Sequence, residues 1–219
     1  MATTLSGGKG TDVILPEGVT TDQVEVASNE DGGTAIAIKQ NSSIAVKAKG
    51  DTAITGKKIS ESSVSVAAKK SESTNIVFET TVVKNTTVTN EGKGTLEVNI
   101  NTGKHKNLTI DATVGGEKDK KRDDLVRVKD GVRMSKGRMN MGRGDDTVRF
   151  GDVTFKGRTI VDLGKGGKDA VVLEAAPAPG KLIVTSFSKK DTITVGDETF
   201  TFQDIKKGAE IPGVKVELA

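Results

Sequence analysis

The sequence predicts an all-β fold, a predominantly parallel right-handed β-helix (β-solenoid) of about nine coils. Three observations carry that expectation. A short motif recurs as Asp124-Leu-Val-Arg-Val128, Asp146-Thr-Val-Arg-Phe150, Asp169-Ala-Val-Val-Leu173 and Asp191-Thr-Ile-Thr-Val195. Its intervals are 146 − 124 = 22, 169 − 146 = 23 and 191 − 169 = 22 residues, and a fixed period in this range marks stacked structural repeats. Nearly every apolar run alternates with period two, as a strand with one buried face requires. The 219 residues include no Trp, no Tyr and only six Phe. A thin core of stacked Val, Ile and Leu suits that composition, whereas a compact globule draws on aromatic rings for buried area.

The elements follow in order. A fifth copy of the motif, Asp12-Val-Ile-Leu15, stands behind Gly7-Gly8-Lys9-Gly10. Thr34-Ala-Ile-Ala-Ile38, Thr52-Ala-Ile-Thr55, Thr74-Asn-Ile-Val-Phe78 and Thr95-Leu-Glu-Val98 then begin at intervals of 18, 22 and 21 residues. Second strands follow them at Ile44-Ala-Val46, Val64-Ser-Val66, Thr86-Thr-Val88 and Leu108-Thr-Ile110. The run Gly115-Gly-Glu-Lys-Asp-Lys-Lys-Arg122 has no apolar residue and reads as an exposed loop or linker. It divides the chain into an N-terminal half, 1–114, and a C-terminal half, 123–219.

In that second half the repeats align. Val126, Val148, Val171 and Ile193 form one column, and Val128, Phe150, Leu173 and Val195 form another on the same face. Arg127, Arg149, Val172 and Thr194 between them point outward. Further strands are expected at Val132-Arg-Met134, Arg138-Met-Asn-Met141, Val153-Thr-Phe155, Thr159-Ile-Val-Asp-Leu163 and Leu182-Ile-Val-Thr185. Nine coils at about 4.8 Å each make a rod on the order of 45 Å long. The competing architecture is two antiparallel β-sandwich modules divided at the loop. No amphipathic helix stands at either terminus to cover a solenoid end, and exposed end strands invite pairing with other chains.

Charge is distributed unevenly. The formal net charge is +3, yet all seven Arg lie between Arg122 and Arg158. From Glu117 to Lys168 there are 15 basic and 9 acidic residues, a net of +6. Arg127, Lys129, Arg133, Arg138 and Arg149 alternate outward, and Arg143 sits in a turn, so these six are the candidate partner-binding residues. Nucleic acid is not the expected partner, because single-strand readers need stacking platforms and Phe150 and Phe155 fall in inward columns. No apolar run approaches the ~20 residues that cross a bilayer, and Met1 to Gly8 lacks the basic and apolar regions of a signal peptide.

Gly7-Gly-Lys-Gly-Thr-Asp-Val-Ile-Leu15 matches G-G-x-G-x-D-x-U-x, the nonapeptide of calcium-binding β-rolls. Gly142-Arg-Gly-Asp-Asp-Thr-Val-Arg149 and Gly164-Lys-Gly-Gly-Lys-Asp-Ala-Val-Val172 are imperfect relatives. In these segments the chain resembles the RTX, or hemolysin-type, repeat proteins. Leu182 to Val195, followed by Glu198-Thr-Phe-Thr-Phe202, is similar to the segment that closes such arrays. The resemblance implies calcium at Asp12, Asp146, Asp169 and Asp191, held by stacked turns.

Two features depart from that family. The motifs lie 22 or 23 residues apart instead of in tandem, and the turns carry Lys9, Arg143, Lys165, Lys168, Lys189 and Lys190. Stacked ammonium groups oppose a divalent cation that needs six to eight oxygen ligands. The other reading of the aspartates is that they cap turn N–H groups as Asx-turns. No cofactor is then required, with calcium as the alternative.

Catalytic constellations are poorly supported. His105 is the single His, in the polar Gly103-Lys-His-Lys106, and there is no Cys. Asp123/Asp124 and Asp145/Asp146 are sequence neighbours, whose side chains point to opposite faces of a strand. Arg143-Gly144-Asp145 spells an adhesion tripeptide, but the turn repeat demands the same residues. The expected function is therefore a non-enzymatic structural or interaction protein that forms homo-oligomers or docks on a larger assembly of protein subunits. The phage virion surface is the expected place, as a capsid decoration or fibre-associated subunit. The alternatives are an exported, extracellular calcium-binding β-roll module and a polysaccharide-binding or -processing β-helix.

Overall fold

The computed structural model describes residues 3–7, 12–15, 24–28, 34–38, 44–48, 51–66, 73–113 and 122–219, the first five stretches as backbone only. The chain is a parallel β-solenoid. Its strands form three walls, and each wall is a ladder in which a strand pairs with the equivalent strand one turn away. The first wall runs through Asp12–Leu15, Thr34–Ile38, the start of Thr52–Val66, the start of Ser73–Asn90, Thr95–Ile100, Leu125–Val128, Thr147–Phe150, Ala170–Leu173 and Thr192–Val195. The third wall runs through Thr3–Gly7, Val24–Ser28, Ile44–Ala48, the later parts of the two long strands and of Lys104–Asp111, and then Arg138–Asn140, Thr159–Asp162, Leu182–Phe187 and Val214–Leu218. A shorter second wall joins them. There Lys58, Val82, Lys104, Arg133 and Thr154 are successive partners.

About six complete turns lie between Thr52 and Phe187, fewer than the nine coils expected. The difference lies at the ends. Thr3–Gly7 to Ile44–Ala48 extend the first and third ladders as short strands, and after Thr192–Val195 the chain leaves the repeat until Val214–Leu218 rejoins the third ladder. The parallel register excludes the paired antiparallel sandwiches. Both ladders also cross the sequence interval 114–121 without a break, Glu97 pairing with Leu125 and Thr109 with Arg138. Most of the expected linker lies outside the described residues; its last residue, Arg122, is buried.

The core is a set of columns down the axis. Ile76, Val98, Val126, Val148, Val171 and Ile193 stack in register and are at most 1% exposed. Ile54, Phe78, Ile100, Val128, Phe150 and Leu173 form the column beside them. Val64, Val88, Ile110, Met139, Val161 and Val184 line the third wall opposite. Full burial of such a side chain contributes about 1.5–3 kcal/mol, so the columns are the dominant stabilising element. Between the second and third walls the backbone turns through left-handed residues, with φ of 51° at Glu61, 46° at Asn85, 54° at Asn107 and 55° at Lys136. Asn tolerates this conformation, and here it also links turns, since Asn107 Nδ2 donates to Asn85 Oδ1 at 2.6 Å.

The C-terminal end is covered, against the expectation of a bare one. Glu198–Thr201 folds back antiparallel on Thr192–Val195 and leads into the short helix Phe202–Lys206. Phe200 is buried, and Phe202 and Ile205 pack against the core. The helix is too short for its pattern to register as amphipathic in the sequence. Its start is fixed by the Asp204 carboxylate, which accepts from the Thr201 N–H at 2.8 Å and the Thr201 hydroxyl at 2.6 Å.

Candidate functional site

The repeat aspartates form a ladder of their own. Each immediately precedes a first-wall strand with its side chain directed inward, so Asp124, Asp146, Asp169 and Asp191 stack one per turn and are at most 3% exposed. Their bonds run between turns. Asp124 Oδ1 accepts the Leu96 N–H at 2.6 Å, and Asp146 Oδ1 accepts the Asp124 N–H at 2.7 Å. Asp169 Oδ1 takes the Asp146 N–H at 2.9 Å, and Asp191 Oδ1 takes the Asp169 N–H at 3.1 Å. At the end of the series Asp191 Oδ2 also accepts the Ser188 N–H at 2.6 Å. The second oxygen of Asp146 is buried without a hydrogen-bond partner.

Removal from water dominates the electrostatics of this column. Burial pushes Asp146 up to about 9, Asp169 to about 7 and Asp124 to about 6, with the accepted backbone N–H opposing the rise in each. Neighbouring carboxylates add to it, while the Arg122 guanidinium holds Asp124 down. At neutral pH the ladder therefore retains a proton on Asp146.

The residues expected to hold calcium, Asp146, Asp169 and Asp191, are thus brought into one column, but as acceptors of backbone N–H groups. Asp12 begins a strand whose side chains lie outside the described residues. Among the described residues no group of three or more His, Cys, Asp or Glu is placed to hold a metal ion. A hard cation with six to eight oxygen ligands does not fit a file of carboxylates separated by a turn each and already bonded. The turn-capping reading is corrected in part: all four cap the neighbouring turn, and Asp191 alone of them also caps its own, through Ser188. The sequence could not distinguish the two, since both demand Asp before a strand.

A second, outer ladder runs the opposite way. Asp123 Oδ1 accepts the Asp145 N–H at 2.8 Å, and Asp145 Oδ1 accepts the Lys168 N–H at 2.9 Å. Adjacent aspartates do face opposite sides: Asp123 and Asp145 are exposed, Asp124 and Asp146 buried. The Arg143-Gly144-Asp145 tripeptide belongs to this turn. A Cβ on Gly144, whose φ is +155°, would overlap the Arg122 carbonyl, and one on Gly167 would overlap that of Gly144. Two backbones meet there, which only Gly allows.

Arg122 was missed by sequence reasoning. Its side chain turns inward, Nη1 donating to the Gly92 carbonyl at 2.6 Å and Nη2 to the Ala112 carbonyl. Sitting at the end of a charged run, it carried no signal of burial.

The six candidate partner-binding residues are all exposed, but they do not form one stripe. Arg127 and Arg149 are neighbours on the first wall, with Arg127 paired to Glu97, and Lys129 follows at its edge. Arg133 is on the second wall and Arg138 on the third, where its Nη2 lies 4.0 Å from Asp162. Arg143 is in a turn. Alternation set Arg127, Lys129, Arg133, Arg138 and Arg149 outward, as they are, but the bends between walls send them in different directions.

A more coherent basic surface stands on the second wall. Lys58, Lys84, Lys104, Lys106, Arg133 and Lys156 line a cleft of about 550 Å³. Its floor includes His105, 1% exposed and stacked in register between Val83 and Met134. The sequence placed His105 in a polar turn; instead Lys104 and Lys106 point out and the ring points in. Its Nε2 bonds the Thr102 carbonyl at 2.8 Å, its edge meets Phe78 at a centroid distance of 6.3 Å, and burial lowers its pKa.

Comparison with protein-family models, with curated proteins and with solved structures finds no match.

Proposed function

We propose that the chain is a non-enzymatic structural and interaction protein, a stiff solenoid subunit that docks on a larger assembly at the surface of a bacteriophage virion. The observation that carries this reading is the employment of the buried ionisable groups. Arg122, Asp124, Asp146, Asp169 and Asp191 all bond to main-chain groups of other segments, which ties successive turns together. Such bonds stiffen a rod; they do not converge on a reacting centre. The covered C-terminal end leaves the outer walls as the docking surface.

The test is protein mass spectrometry on virions purified from a host that carries the gene. Stoichiometric amounts of the chain in banded particles support the proposal, and its absence from them removes it. Folding that proceeds unchanged in EDTA separates this reading from an exported calcium-dependent module.

A further inference from the structure

We infer that the second wall is a binding site for a linear anionic polysaccharide, one that carries carboxylate or sulfate groups along its length. This inference stands apart from the virion assignment and survives its failure.

The cleft spans five successive rungs, and each rung contributes at least one cation. Lys58, Lys104 and Arg133 belong to one column, and Lys84, Lys106 and Lys156 to the next but one. At about 4.8 Å per rung the charges extend over roughly 20 Å in a zigzag. Among the described residues no acidic side chain lines the cleft and none of the six cations makes an ion pair. The positive field is therefore not cancelled locally, unlike that of Arg127 or Arg138. Holding so many like charges together costs stability unless an anion is recruited.

The occupant follows from what else the wall offers. The middle rungs are paired on both sides, so among the described residues an added peptide strand could pair only at the outer edges, Lys58–Ser60 and Thr154–Phe155, and not along the face that carries the cations. Beneath the cations His105 and Met134 are buried and Val82 is half-buried, so the apolar floor offers one small aliphatic side chain and none of the aromatic anchors that dominate protein interfaces. Among the described residues no Phe, Tyr or Trp lines the cleft to stack on a base, and the His105 ring is buried beneath it. What remains is an extended polyanion held by charge along the solenoid axis.

The experiment measures binding of the full chain at low salt by fluorescence anisotropy. The labelled probes are polygalacturonate, heparin, neutral dextran, poly-L-glutamate and single-stranded oligothymidylate. One acidic glycan is expected to bind better than the last three, and raised salt should weaken it. The double variant Lys84→Gln/Lys106→Gln should weaken that binding roughly ten-fold, with Arg149→Gln on the first wall as the unaffected control. Both replacements are at exposed positions, and circular dichroism verifies that the fold is kept. Failure of both acidic glycans to bind overturns the proposal, as does equal binding by the double variant. Tighter binding of poly-L-glutamate assigns the wall to an acidic protein instead, and tighter binding of the oligonucleotide assigns it to nucleic acid.

Discussion

Asp169 Oδ1 accepts the backbone N–H of Asp146 at 2.9 Å, from one turn of the solenoid to the one before it. The side chain that precedes a strand thus closes the hydrogen-bond ladder of its neighbour, and the neighbour's side chain does the same one turn further on. Removing the acceptor strands a buried donor. Asp169→Ala is expected to cost about 1–3 kcal/mol, measured by urea denaturation, whereas Asp169→Asn retains an acceptor oxygen and most of the stability.

The same column makes stability depend on pH with a definite sign. Asp146, Asp169 and Asp124 are raised by burial to about 9, 7 and 6, so in each case the folded state binds protons that the unfolded state releases near pH 4. Stability therefore falls as pH rises, from about pH 4 upward, until each folded-state value is passed. Asp169 contributes up to about pH 8, and Asp146 alone beyond it. Asp146→Asn keeps the oxygen that accepts from Asp124 and should remove the decline between about pH 8 and 9 while leaving part of that between 7 and 8, as read from unfolding midpoints across that range.

His105 acts in the opposite direction. Burial lowers its pKa below the ordinary value of 6.5, so the unfolded chain takes up a proton that the folded chain refuses. Its contribution is full above that value and is lost as pH falls below it. The stability of the wild type relative to His105→Leu should decrease from pH 7 to pH 5; a constant difference would show that the ring is not held neutral in the core.

Two glycines with similar positive φ separate crowding from backbone conformation. Gly166, at φ +80°, has open space for 4 Å around the point where a Cβ would stand, whereas at Gly167, φ +103°, the Gly144 carbonyl fills that space. Gly166→Ala is expected to cost about 1 kcal/mol from conformation alone. Gly167→Ala must also push neighbouring turns away from each other and should cost more than about 3 kcal/mol, on the same denaturation assay.

Much of the architecture was legible because stacking repeats a residue's environment every turn. The columns through Val126 and Val128 were readable from period and alternation together, and the structure places Val148, Val171 and Ile193 in register with Val126. Less was legible wherever an interaction crosses between turns or walls. An Asp that bonds the preceding turn looks the same in sequence as one that caps its own. Arg122 at the end of a charged run resembles any solvated cation. The basic second wall gathers Lys58, Lys84, Lys104, Lys106, Arg133 and Lys156 from five turns, and their spacing along the chain is too irregular to suggest that they meet. His105 was misplaced because its flanking lysines dominate the local polarity.

The central claim is that successive turns lie in register along one axis. The chain has no Cys, so pairs of introduced cysteines can be spin-labelled without background. Val77, Asn99, Arg127, Arg149, Val172 and Thr194 occupy one outward column, one per rung. Electron–electron double resonance between a label at Thr194→Cys and one at Arg127→Cys, Asn99→Cys or Val77→Cys should give backbone separations of about 14, 19 and 24 Å, a rise of about 4.8 Å for each rung. Separations that do not increase with rung number would contradict the stacked solenoid and everything built on it.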